Sequence, residues 1–88
     1  MEYIITFKST SHAVKAEQHL INAGIGAAAM PLPPQIDASC GICLRLRPET
    51  LDAAADILSR SNAGGLSIYQ KQTSEYGRDI FILHKQID

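Results

Sequence analysis

The chain has 88 residues, of which 45% are apolar and only 19% charged, with a formal net charge of −1. That length supports one domain around one modest core, and the near-neutral balance gives no sequence-wide field to draw in nucleic acid or an anionic membrane. The low share of charged residues predicts a homo-oligomer that hides part of its surface. No apolar run approaches the roughly twenty residues of a spanning helix, and Met1-Glu2-Tyr3 lacks the basic and apolar regions of a signal peptide. A cytoplasmic location is expected, where cysteines stay reduced and a C-x-x-C points to redox chemistry or metal binding.

Tyr3-Ile4-Ile5-Thr6-Phe7 is rich in β-formers and predicts a first strand, closed by Lys8-Ser9-Thr10-Ser11. Each of these three hydroxyls can cap the helix that follows. Ala13, Ala16, Leu20 and Ala23 form one stripe of that helix, Val14 and Ile21 broaden it, and Gly24 supplies a left-handed stop. Residues 25–32 form a short apolar run that ends in Pro31-Leu32-Pro33-Pro34. Its three prolines lack ladder donors, so the run predicts an edge strand or an extended loop. Residues 35–40 continue the loop. Residues 42–47 alternate as a third strand, with Ile42, Leu44 and Leu46 on one face and Cys43, Arg45 and Arg47 on a wet one. Pro48 and Thr50 open a second helix with Leu51, Ala54, Ala55 and Leu58 on its apolar stripe, and residues 62–65 close it. Residues 66–72 form a fourth strand. After a turn at Tyr76-Gly77, residues 80–84 form a short fifth.

The order β-α-β-β-α-β plus a last strand predicts an α+β, ferredoxin-like sandwich, with two helices on one face of an antiparallel sheet. The whole chain, 1–88, is read as one domain, with a core over 1–72 and an extension strand in 73–88. That strand either extends a sheet edge or pairs with a neighbouring subunit.

The most informative feature is Cys40-Gly41-Ile42-Cys43. A reactive thiol needs access, a means of lowering its pKa and room for a larger group on sulfur. The prolines stiffen the approach to Cys40, Ser39 offers a hydroxyl, and Gly41 removes a side chain that would crowd a partner. Arg45 and Arg47 are the nearest positive charges in sequence and assist a thiolate if they share its face. Packing explains a cysteine beside a strand equally well, because cysteine behaves as a small hydrophobe. Positions i and i+3 of a regular strand point to opposite faces, so Cys40 and Cys43 meet only if Cys40 lies in the turn before the strand.

Zinc wants four ligands, and His12, His19 and His84 are scattered with no second C-x-x-C, so no metal site and no cofactor are expected. Tyr69 and Tyr76 lack the stacked aromatics and basic charge of an RNA-reading sheet, which excludes nucleic acid as an expected partner. Gly24-Ile25-Gly26 begins a strand instead of following one and makes no dinucleotide fingerprint. Arg45 and Arg47 are read as a solvated strand face, with anion binding or a subunit contact as the alternative.

Residues 30–41, Met30-Pro31-Leu32-Pro33-Pro34-Gln35-Ile36-Asp37-Ala38-Ser39-Cys40-Gly41, resemble the signature of the selenium/sulfur carrier protein-like family of small bacterial and archaeal proteins. The family pattern is a strand, a helix ending at Gly-Ile, a Pro-x-Pro segment, and Ser-Cys-Gly leading into a strand. The chain matches it through Tyr3 to Phe7, Gly24-Ile25, Pro31, Pro33 and Ser39-Cys40-Gly41 over most of the first 70 residues. Pro34 stands where family members often carry a basic residue, and Cys43 falls outside the pattern. The resemblance implies that Cys40 holds sulfur or selenium as a persulfide or selenosulfide and exchanges it with donor and acceptor proteins. Cys43, outside the family pattern, is read from its place in the C-x-x-C as a resolving or accessory thiol. Such a protein is a carrier more than a classical enzyme. A non-catalytic ligand-binding or assembly module and a dithiol redox protein are the alternatives, since one architecture hosts many functions.

Overall fold

The computed structural model describes residues 2–36, 41–61 and 65–87. Strand β1 (Glu2–Thr6) leads to helix α1 (Thr10–Asn22), then to strands β2 (Ala28–Pro31) and β3 (Ile42–Leu46). A 3-10 turn at Pro48–Thr50 opens helix α2 (Leu51–Arg60), and strands β4 (Leu66–Thr73) and β5 (Asp79–Ile87) complete the chain. The protein is α+β, with two helices and a five-stranded sheet of order β2-β3-β1-β4-β5, antiparallel at each pairing.

Local chemistry explains the ends of α1. The Ser9 hydroxyl accepts from the His12 backbone N–H at 3.2 Å, satisfying one orphan donor of the first turn. At the other end the Ile25 N–H donates to the Leu20 carbonyl and the Gly24 N–H to the Ile21 carbonyl, each at 2.9 Å. This is the Schellman pattern, and it needs the left-handed backbone that Gly24 adopts at φ 78°. Leu20 and Ile25 are both buried, so the cap also carries its usual apolar contact.

One face of the sheet builds the main core. Tyr3, Ile5 and Phe7, then Leu44 and Leu46, then Leu66 and Ile68 pack against Ala13, Ala16 and Leu20 of α1 and Leu51, Ala54, Ala55 and Leu58 of α2. Both helices therefore cover the same face. The expected stripe of α2 is buried throughout, whereas the expected stripe of α1 is narrower than its sequence implies. Ala23 is exposed, and Val14 and Ile21 are 54% and 53% exposed, because they lie to one side of the Ala13-Ala16-Leu20 line that meets the sheet.

The second face is not simply wet. Ile4, Cys43 and Ile36 form a buried cluster there, flanked by Met30, Leu32, Tyr69 and Phe81. Central strand β1 is thus buried on both faces, as its unbroken Tyr-Ile-Ile run requires.

The two outer strands differ. The one proline of β2, Pro31, is tolerated because this is an edge strand of four residues, with Pro31 at its end opposite Ile42. Strand β5 runs for nine residues, against the five expected, and extends the sheet beside β4. It is joined to β4 by a tight turn in which Gly77, at φ 79°, donates its N–H to the Ser74 carbonyl. A bulge opposite Ile68/Tyr69 re-aims β5, and His84 meets Tyr3 edge to face, with ring centroids 5.2 Å apart.

Candidate functional site

Strands β2 and β3 are joined by the segment that carries Ser39 and Cys40. Both of these lie outside the described residues, with Asp37 and Ala38. The flanks of the segment are defined. The Leu32 N–H donates to the Gly41 carbonyl at 3.0 Å, which closes the base of the excursion like the neck of a hairpin. The Ile36 N–H donates to the Pro33 carbonyl at 3.1 Å, so Pro33 to Ile36 is a turn, favoured by the fixed φ of Pro34 at its second position.

This turn is a strap laid on the open sheet face. Ile36 is only 6% exposed and packs with Ile4 and Cys43. Its burial removes apolar surface worth about 2 kcal/mol from water and ties the proline segment to the sheet. Residues 35–40 are expected as plain loop, yet Ile36 is a buried anchor. The one available signal was a single apolar residue, Ile36, between the prolines and the cysteine.

Cys43 belongs to the sheet and not to the loop. Register pairs it with Met30 on one side and Thr6 on the other, which puts its side chain on the strap side of β3. It is fully buried, and its thiol lies 3.8 Å from the Pro31 carbonyl oxygen, a weak S–H···O contact. The expected wet face of β3 is therefore dry at Cys43 and becomes exposed at Arg45.

Arg45 and Arg47 run away from the loop. Arg45 is four residues beyond Gly41 on an extended strand, about 13 Å along its axis, and Arg47 is farther still. They line a cleft of about 550 Å³ at the opposite end of β3, together with Glu2, Glu49 and the small residues Gly26 to Ala28. Its wall carries both signs of charge. A second hollow of about 410 Å³ lies beside the strap, between Gln35 and Ile36 on one side and Tyr69, Asp79 and Phe81 on the other. Lys71 stands nearby, with its Nζ 3.8 Å from carboxylate oxygens of both Glu2 and Asp79, linking β1, β4 and β5.

Among the described residues no group of three or more His, Cys, Asp or Glu side chains is placed to hold a metal ion. Among them, too, no helix is long and apolar enough to cross a membrane.

What this arrangement offers is a strand-to-strand excursion with a pinned neck, a proline-stiffened entry and a Ser-Cys-Gly exit. Such a layout defines a class of α+β protein with a pinned, proline-bearing connection between β2 and β3, in whose sequence Ser39 and Cys40 precede Gly41. The family model described as "Putative Se/S carrier protein-like" matches residues 2–70, which span β1 through most of β4 and include the whole β2–β3 excursion. The chain belongs to this family. No curated protein and no solved structure matches it.

Proposed function

We propose that this protein carries sulfur or selenium on Cys40. The observation that bears most weight is the family match over residues 2–70, which contains Ser39-Cys40-Gly41 at the end of the β2–β3 excursion. In the loading step the Cys40 thiolate attacks the outer sulfur of a donor persulfide. A bond forms from Cys40 sulfur to that atom, the donor's S–S bond breaks, and the donor leaves as a thiolate that takes up the proton. Delivery is the same exchange in reverse, with an acceptor nucleophile taking the outer atom and Cys40 leaving as thiolate. A selenosulfide follows the same balance with selenium in the outer position.

Gly41 and Ser39 frame the thiol, and the strap holds the approach. Cys43 is read as a packing residue, since it is fully buried with Ile4 and Ile36. That observation speaks against a dithiol redox protein. The strand order, with β1 and β3 at the centre and both helices on one face, supports a ferredoxin-like sandwich extended by β5. We read the chain as one cytoplasmic domain that meets donor and acceptor proteins. A second reading, a small-ligand-binding module, is favoured by the cleft that Arg45 and Arg47 line.

Intact-mass measurement after exposure to a cysteine-persulfide donor, or to a thiol selenosulfide donor that leaves as a thiolate, tests the carrier reading. A gain of about 32 or 79 Da, the mass of one added sulfur or selenium, is expected on the wild type and on Cys43→Ala, and none on Cys40→Ala. Equal loading of the Cys40→Ala variant would overturn it.

A further inference from the structure

The far end of β3 carries two arginines on one face. Arg47 keeps an extended backbone just past the strand, with φ −83° and ψ 151°. Arg45 and Arg47 therefore stand two residues apart on the strap side of the sheet, roughly 7 Å from each other along the strand. Leu46 between them is buried in the main core. Among the described residues neither guanidinium makes an ion pair, although carboxylates are close by. Arg45 lies between Ile4 and Ala28, which have no side-chain acceptor. One step beyond the Tyr3–Leu46 pair, the register sets Arg47 opposite Glu2. The Glu2 carboxylate is instead turned to β4, 3.8 Å from the Lys71 Nζ. Arg47 has thus lost its cross-strand partner to Lys71.

We infer that the cleft at this end of β3 binds a small organic anion, whose single oxyanion head, a carboxylate or a phosphate, is held by Arg45 and Arg47 together. The cleft, at about 550 Å³, has the size of a small-molecule site, and Gly26 to Ala28 form a wall without bulky side chains. A guanidinium offers a planar fork of N–H donors that matches an oxyanion, and two of them at this spacing can close on one head from both sides. The acidic residues of the cleft narrow the choice of ligand. Glu49 and Glu2 would repel a chain of phosphates running through it, whereas one head between the arginines avoids both. Each of these carboxylates has its own reason to be there. Glu49 lies in the turn that opens α2, where the helix N-terminus favours negative charge, and Glu2 serves Lys71. The inference rests on the small-ligand reading of the cleft and needs no transfer at Cys40.

Nuclear magnetic resonance titration of the nitrogen-15-labelled full chain tests the inference, with inorganic phosphate in one series and acetate in another, at constant ionic strength. Saturable shifts are expected at the Arg45 and Arg47 Nε–H groups and at the amides of Gly26 to Ala28, and the series that saturates identifies the head group. Arg45→Gln and Arg47→Gln each remove one charged fork and should weaken binding about tenfold or more. Both side chains are exposed, so neither change disturbs the core. Arg78→Gln, in the exposed turn between β4 and β5, should leave binding as it is. Shifts that fail to saturate with either anion would overturn the inference. So would saturation that survives Arg45→Gln and Arg47→Gln, or that falls as far with Arg78→Gln. Loading of Cys40 is read separately by intact mass, so the site and the carrier reading fail independently.

Discussion

The sulfur of Cys43 lies 3.8 Å from the carbonyl oxygen of Pro31, inside a cluster closed by Ile36. The β2–β3 ladder and the strap thus enclose the second thiol of the C-x-x-C. In the proposed function this divides the labour between the two cysteines: one is a packing group, and the other is left to do chemistry.

Brief treatment of the folded protein with iodoacetamide should therefore modify one cysteine. Peptide mapping is expected to place the label on Cys40, and Cys40→Ser should leave no rapidly labelled thiol until denaturant is added. Fast labelling of Cys43 in the folded state would contradict its complete burial.

Ile36→Ala removes the anchor of the strap. Its cost is about 2 kcal/mol of unfolding free energy, at the low end of large-to-small core changes because one side of the site can collapse. The same variant should expose Cys43, so a second thiol becomes reactive in the native state. Urea melts and labelling stoichiometry check the two effects separately.

Cys43→Ala leaves a small void beside Ile4 and Ile36. A loss of about 1 kcal/mol is expected from the missing sulfur, with loading at Cys40 unchanged. Loss of loading in a stably folded Cys43→Ala would instead assign Cys43 a part in transfer, as intact mass would reveal.

The ends of α1 make a paired test of local structure. Ser9→Ala removes the hydroxyl that accepts from His12 and should cost about 1 kcal/mol. Gly24→Ala meets no atom within 4 Å, so space is not the obstacle. Its expected cost, also about 1 kcal/mol, comes from forcing alanine into the left-handed backbone at φ 78°. Thermal melts of both variants should show reduced midpoints with unchanged spectra at low temperature.

Much of this fold was legible before any coordinates. The hydroxyl-rich entry and Gly24 exit of α1, the Leu51-Ala54-Ala55-Leu58 stripe of α2 and the alternation of β3 are local signals. Caps, periodicity and pleat are set by neighbours in sequence. The proline-bearing edge was legible for the same reason. The candidate thiol at Cys40 rested on its Ser-Cys-Gly frame and on family resemblance, which needs no coordinates either.

Tertiary structure alone decided which faces are covered. Alternation places Cys43 and Arg45 on one side of β3, but only the path of the Pro33–Ile36 turn buries the first and leaves the second in solvent. Helix periodicity cannot tell how wide a stripe the sheet will accept, so Val14 and Ile21 are exposed although their spacing favours burial. The length of β5 depends likewise on β4, whose ladder continues through Leu66↔Ile87 past the bulge. The sequence determined the elements and the likeness of the Ser-Cys-Gly site to its family, because those are written locally. Coverage depends on contacts between distant segments, so the buried Cys43, the strap over it and the bare edge of β5 emerged only when the chain was folded.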